Sequence, residues 1–587
     1  MSNRAGLSSA NPDRIEAPVT LKSYLMCAFS AFGGIFFGYD SGYINGVMGM
    51  PYFIRQIEGP DATSLGGFSK AIITSVLSLG TFIGALVAGD FADLCGRRTT
   101  VLGSCAAFLI GVVLQVASAG LPLLVVGRAI AGLGVGGRLA KSAEPLCRAI
   151  NSVLLSYCLD PIVPKGLLLA SAIDYATRNR ADSSSYRIPI AIQMVWALVL
   201  AGGLSFLPES PRFYVRRGEL DRAAYSLSRL RDQPVKSEFV KTELAEIITN
   251  YEHEHSLVPP GGYWSTWLAC GRGSLRKGSS HLRRTALGTS LQMMQQWFAR
   301  YRNILYLEGY VNKSTSRTGV NFIFYFGTTL EQFKVGVKRC AWNMIIQPDD
   351  CRKGNSFQDL GTIQDPFQIS LITTLVNVFS TPISFWAIEK LGRRPLFLWG
   401  AFGMTICQFI IAIIGTVAHS TAALSAMITF ICVFIAFFAS TWGPGAWVLV
   451  GEIFPLPIRA RGIALSTASN WLWNFIIGLI TPYMVDKDKG NLGAKVFYIW
   501  GSLCATAFFF TWFLIPETKG LTLEQVDRML EETTPRTSSK WKPHDVYTAE
   551  AGSEDGPVAK APNGNVDDGD DDKHAEKTLE PPFFRAL

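Results

Sequence analysis

The chain has 587 residues, of which 49% are hydrophobic and 17% charged, with a formal net charge of +8. A soluble domain carries about 25% charged residues, so the deficit points to apolar membrane spans. The positive charge does not read as a nucleic-acid surface. Many Lys and Arg residues cluster in loops between apolar runs, and no basic stripe with interleaved aromatics stands out.

Met1 to Val19 is polar and lacks the basic, apolar and cleavage regions of a signal peptide, so the first apolar run is expected to remain as a span. With roughly 20 apolar residues needed per crossing, spans fall at 23–45, 70–90, 99–117, 121–137, 150–174, 188–207, 286–330, 366–388, 395–417, 422–449, 461–485 and 496–515. The fifth is a poor span and the seventh is interrupted. This gives a 1–22 N-terminal segment, a 23–207 half, a 208–285 linker with short charged helices, a 286–515 half and a 516–587 tail. The tail carries the acidic run Asp567-Asp568-Gly569-Asp570-Asp571-Asp572 and is expected to be disordered after about 535. Arg97-Arg98, Arg212 to Arg217, Arg283-Arg284, Arg393-Arg394, Arg459 and Arg461 all fall on one side, which the positive-inside rule makes cytoplasmic together with both termini. The 11 cysteines are scattered without a CxxC pair and read as buried thiols.

Two landmarks recur. Asp93-Leu94-Cys95-Gly96-Arg97-Arg98 returns as Glu389-Lys390-Leu391-Gly392-Arg393-Arg394, and Pro208-Glu209-Ser210-Pro211-Arg212 as Pro516-Glu517-Thr518-Lys519-Gly520, with offsets that agree to within about a dozen residues. A parallel repeat of this kind marks a large class of transporters, with the site near the midplane between the halves. A third landmark, Gly451-Glu452 to Arg461-Gly462, has no clean twin: residues 142–150 hold Glu144 and Arg148 but no Arg-Gly. Gly132-Leu133-Gly134-Val135-Gly136-Gly137 lies inside a span with no strand before it, so it predicts close helix packing rather than a dinucleotide loop.

Over roughly residues 20–530 these landmarks, with Gly34 to Asp40, Gly127-Arg128, Gln295-Gln296 and Gly319-Val320-Asn321, resemble the sugar-porter family of the major facilitator superfamily, and most of all a fungal monosaccharide (hexose) transporter. The resemblance implies an all-α membrane protein, a twelve-span bundle of two pseudo-symmetric six-helix halves. It implies sugar contacts from Gln295, Gln296, Asn321, Asn377, Trp447, Asn470 and Trp471. Amides supply the donors and acceptors a neutral polyol needs, and indoles a flat apolar face. Each of these side chains has an alternative use in helix–helix bonding or at the membrane interface.

Asp40 is the one acid within the first span, and an intramembrane acid is a functional candidate. By resemblance it exchanges the coupled proton and pairs with Arg128, a fixed ion pair being the alternative. Asp93, Arg97, Arg98, Glu209, Arg212, Glu389, Arg393, Arg394, Glu452 and Arg461 would form cytoplasmic gating networks, or else act as solvated charges that fix topology. Leu94 replaces an Arg common in the family, which would weaken the first network.

Three segments depart from the family pattern: 138–165, 298–317 and 331–359. The second places Arg300, Arg302, Glu308 and Lys313 where a span should run, and each charge at mid-bilayer costs about 2.5–3.5 kcal/mol. Flanking sequence rejoins when the second and third are removed, so these read as translated introns, gene-model interruptions, and the first as a mis-spliced or frame-shifted stretch. The rival is a diverged, non-transporting paralogue. The function expected is hexose transport by alternating access with proton symport at the plasma membrane, as a monomer without cofactor or metal. A sugar sensor on the same scaffold is the alternative. No Ser-His, metal-ligand or paired-carboxylate constellation indicates an enzyme.

Overall fold

The computed structural model describes residues 21–62, 64–139, 162–178, 180–206, 208–257, 263–276, 280–299, 366–417, 421–455, 458–485, 489–521 and 523–542. The first half comprises α1 (Leu21–Val47), α2 (Pro51–Glu58), α3 (Gly67–Cys95), α4 (Arg97–Ala117), α5 (Leu121–Leu139), α6 (Ile162–Thr177) and α7 (Ser184–Phe206). Four linker helices follow: α8 (Pro211–Arg216), α9 (Leu220–Arg231), α10 (Glu238–Leu257) and α11 (Tyr263–Ala269). The second half comprises α12 (His281–Ala299), α13 (Pro366–Leu391), α14 (Arg393–Val417), α15 (Thr421–Ser440), α16 (Trp442–Ile453), α17 (Arg459–Val485) and α18 (Val496–Leu514), with α19 (Leu523–Glu532) after it. No strand occurs among the described residues. Seven described helical stretches are long and apolar enough to cross a membrane.

Glycine sets how closely these helices approach. A Cβ at Gly80 would lie 3.1 Å from Gly132 Cα, and one at Gly84 3.1 Å from Gly136 Cα, so α3 and α5 meet backbone to backbone. The opposite face of α5 meets α4 in the same way, through Gly127 and Gly111. The glycine run of α5 is therefore a packing surface for both neighbours, the close-approach device of membrane helices. A small-residue seam also joins α1 to α6, where a Cβ on Gly42 would lie 2.9 Å from Ala170 Cβ. This seam fixes the register of the fifth span, whose described helix begins at Ile162, inside the first interruption. The other two interruptions fall almost wholly outside the described residues.

The span expected at 422–449 is two helices rather than one. Thr441 leaves helical geometry (φ −130°, ψ −81°) between α15 and α16. Gly443-Pro444-Gly445 follows, and a proline without an N–H is tolerated in the first turn of a new helix. That break places the first carbonyls of α16, Trp442 and Gly443, within reach of a buried side chain of α12.

Outside the spans, Arg231 of α9 grips Glu243 of α10 with two bonds of 2.7 Å. The tail holds its structure further than the composition predicts. Val526 and Met529 of α19 are buried, Asp527 pairs with Arg284 of α12, and a 3₁₀ turn at Ser538–Lys540 buries Ser538. Ser538 Oγ accepts the Glu517 N–H at 2.8 Å and anchors this segment.

Candidate functional site

The predicted amides of α12 and α17 join one continuous hydrogen-bonded relay. Ser78 Oγ of α3 donates to Asn474 Oδ1 at 2.6 Å, and Asn474 Nδ2 donates to Gln296 Oε1 at 2.9 Å. Gln296 Nε2 donates to Asn470 Oδ1 at 2.9 Å, and Asn470 Nδ2 to Gln295 Oε1 at 2.9 Å and Gln292 Oε1 at 2.6 Å. The relay ends where Gln295 Nε2 donates to the Gly443 and Trp442 carbonyls at 2.6 and 3.2 Å, at the break between α15 and α16. Gln292, Gln295, Gln296 and Asn470 are all buried. Asn474, Gln296, Asn470 and Gln295 each both accept and donate, as a sugar hydroxyl does, whereas Gln292 accepts through Oε1 and leaves its buried Nε2 without a partner among the described residues. Gln292 and Asn474 are additions to the expected set. Helical spacing could have found them, one turn from Gln295 and Asn470 respectively.

Trp471 is buried beside the relay and packs edge-to-face on Phe37 of α1 with ring centroids 5.7 Å apart, a contact between the halves. Trp447 is 41% exposed. Asn377 of α13 is half-buried and accepts from Thr381 Oγ1 at 3.3 Å, apart from the relay's bonds. Asn321 lies outside the described residues. Gln295→Ala removes the side-chain donor shared by the Trp442 and Gly443 carbonyls and one expected sugar contact. The half-saturation concentration for sugar uptake should rise about tenfold, the cost of leaving a buried polar group unmade. Concentration-dependent uptake at matched surface expression measures it.

Asp40 and Arg128 are each 1% exposed. Arg128 Nη1 donates to Tyr43 Oη at 2.7 Å, and Tyr43 Oη donates to Gln115 Oε1 at 2.9 Å. The guanidinium thus reaches α1 through Tyr43, one turn beyond Asp40. A second acid, Asp174 of α6, is 2% exposed, and its carboxylate fills the space left by Gly46 of α1. It went unremarked in the sequence because it sits at the end of the poorest span.

At the Gly-Arg-Arg end the two halves carry twin structures. Glu209 accepts the backbone N–H of Arg97 at 2.9 Å and of Arg98 at 3.1 Å, the opening residues of α4. Glu517 does the same for Arg393 at 2.9 Å and Arg394 at 3.1 Å, the opening residues of α14. A carboxylate here satisfies orphan donors and complements the helix dipole. Arg98 and Arg394 donate in turn to the Ser205 and Trp512 carbonyls of the span before each carboxylate, at 2.6 and 3.0 Å.

Other contacts are specific to one half. Glu452 takes Arg393 at 2.6 Å and Thr518 Oγ1 at 2.6 Å. Arg461 pairs instead with Asp90 of α3 at 2.6 Å, an ion pair between the halves, and lies 5.1 Å over the Trp267 ring of α11. Burial pushes the neighbouring Cys270 thiol up despite the opposing pull of Arg461, so it stays a thiol at neutral pH. Arg212 and Glu389 are exposed, and among the described residues their side chains make no hydrogen bond or ion pair, so no network forms around them here. Asp93 lies in α3 with its side chain outside those described. Asp90 and Glu452 are the acids that pair with these guanidinium groups, while Glu209 and Glu517 accept backbone N–H groups.

A family profile described as Sugar (and other) transporter matches residues 26–315 and 355–530. The chain belongs to this family. The stretch the profile leaves out overlaps the third sequence interruption. Over 89% of its length the chain is 36% identical to the probable glucose transporter rco-3 of Neurospora crassa, covering 81% of that protein. Over 90% of its length it is 38% identical to the high glucose sensor RGT2 of Saccharomyces cerevisiae, covering 64% of that protein. The solved structure of the proton:xylose symporter XylE bound to 6-bromo-6-deoxy-D-glucose superposes with a TM-score of 0.62 at 22% identity, over 87% of this chain and 99% of that one. The sugar transporter family member described here is thus an all-α membrane bundle of the major facilitator type, a transporter rather than an enzyme.

Proposed function

We propose that this chain carries a hexose, glucose in the first instance, across the plasma membrane by alternating access, with a proton moving in the same direction. The observation that carries the reading is the amide relay, buried between the halves and ending on the broken tenth span. Neutral amides with both donor and acceptor faces suit a polyol and supply no counter-charge for an ionic substrate. Trp471 beside them supplies an apolar face for the ring's C–H side. The similarity to a probable glucose transporter supports the choice of hexose. A buried acid, Asp40, near a buried Arg128 supports the proton, since such groups mark proton relays in membrane proteins. Both halves of the site come from one chain, which suits a monomer. The basic Gly-Arg-Arg end is assigned to the cytoplasm with both termini.

Uptake of labelled glucose by a yeast strain lacking its own hexose carriers tests this. Saturable uptake that rises as external pH falls is expected, and sugar binding to the purified chain without any uptake would refute it. That second outcome is what a sensor would give, a reading favoured by the 38% identity to a high glucose sensor.

A further inference from the structure

We infer that Ser78 ties the sugar-site amides to the opposite half of the bundle, and that sugar engaging Asn474 releases this tie. The inference rests on the sugar-transport reading above and adds a coupling residue to it. On α3 two neighbouring hydroxyls follow the default for a helix. Thr74 Oγ1 donates back to Lys70 O at 2.8 Å and Thr81 Oγ1 to Leu77 O at 2.8 Å. Ser78, between them and 2% exposed, donates across the half-to-half boundary to Asn474 Oδ1 at 2.6 Å instead.

The direction of the relay makes this bond consequential. Asn474 can accept from Ser78 only while its amide nitrogen faces Gln296 Oε1. Every later amide inherits that orientation, down to the donor Gln295 places on the Gly443 carbonyl. A sugar hydroxyl that recruits the Asn474 amide turns its oxygen away from Ser78 and removes the only role the serine has in the chain of bonds.

The second cross-half tie lies on the same two helices. Asp90 is on α3 and Arg461 on α17, the pair that also carries Ser78 and Asn474. The residue numbers rise along one helix as they fall along the other, so α3 and α17 run antiparallel. At 1.5 Å per residue the two ties are separated by about 18–20 Å on either helix. A tilt that parts the halves must break both. The empty protein therefore holds two ties across this seam and the loaded protein one, so loading favours the swing between outward and inward access.

The test compares sugar exchange with net uptake, using the full chain in carrier-null yeast, for the wild type, Ser78→Ala and Ser78→Thr. Ser78→Ala frees the empty protein to swing, by about fivefold for one hydrogen bond. The ratio of exchange rate to net uptake rate should fall by a similar factor, with the half-saturation for exchange unchanged or lower. Ser78→Thr keeps the hydroxyl and should keep the wild-type ratio. Should Ser78→Ala fail to reach the surface, Ser78→Cys keeps the volume with a weak donor and should lower the ratio part-way. An unchanged ratio in either variant, or equal loss of both rates, overturns the inference while leaving the transport reading intact. A wild-type chain with neither exchange nor net uptake overturns the transport reading and this one with it.

Discussion

Asp40→Asn should abolish accumulation of sugar against its gradient while leaving exchange in place. The carboxyl sits 1% exposed on α1, one turn from Tyr43, whose hydroxyl takes the Arg128 guanidinium at 2.7 Å. Of the carboxyl and the guanidinium, only the carboxyl can gain and lose a proton during a transport cycle, because Arg stays charged throughout. Asparagine keeps the volume and one hydrogen-bonding oxygen but has no second charge state. The amide therefore leaves the packing of α1 intact and removes the means of linking sugar movement to the proton gradient. A single co-transported proton driven by 100 mV is worth about 2.3 kcal/mol, on the order of fifty-fold accumulation. The steady-state ratio of internal to external non-metabolised sugar measures this directly. It should lie well above one in the wild type and settle at one in Asp40→Asn, with counterflow largely retained. An undiminished ratio in the variant would remove Asp40 from the coupling and leave Asp174, the other buried acid among the described residues of this half, as the group to substitute next.

How much of this was legible in the sequence differs from one part to another. Apolar runs and their basic loops located the spans, because span length and loop charge are local properties. The pair Gln295-Gln296 and Asn470 were legible by motif, yet their bonding to one another joins residues 174 and 175 positions apart. Ser78 was not legible at all. A lone hydroxyl on an apolar helix looks the same as Thr74 or Thr81, and only the neighbouring half shows that it reaches outward.

The gating acids show a related limit. Asp93 and Glu389 were singled out by their place before Gly-Arg-Arg, but Glu389 faces outward on the last turn of α13 while Asp90, one turn earlier than Asp93 on α3, meets Arg461. Position in a motif does not say which face of a helix a residue occupies. Glu209 was chosen, but the part Glu209 and Glu517 play, accepting backbone N–H groups rather than pairing with guanidinium groups, depends on contacts more than 100 residues apart in the chain. The broken tenth span was missed for a different reason. Its apolar run is continuous, and hydropathy is blind to the geometry that Gly443-Pro444-Gly445 imposes.

Those twin carboxylates lead to the second large effect: Gly392→Ala should destabilise the second half by on the order of 3–5 kcal/mol, from a left-handed backbone and lost carboxylate bonds together. Gly392 has φ +91°, which a side chain rarely adopts, and a Cβ there would lie 2.6 Å from Glu517 Oε2. The carboxylate must then move, and it is the acceptor for the backbone N–H groups of Arg393, Arg394, Thr518 and Lys519. Displacing it unfastens the start of α14 and the turn at Thr518-Lys519 at once. Gly96 stands in the same position in the first half, with φ +92° and a Cβ site 2.5 Å from Glu209 Oε2. Gly96→Ala should therefore cost about as much. Glu517→Gln keeps one oxygen as acceptor but brings an N–H₂ against backbone donors, so its effect should fall between wild type and Gly392→Ala. Folded proteins have about 5–15 kcal/mol in hand, so both glycine variants should lose most of their surface expression and melt markedly earlier in detergent. A wild-type melting temperature for Gly392→Ala would mean that the loop relaxes without the carboxylate. In that case, the two Gly-Arg-Arg motifs would serve the positive end of the membrane by charge alone.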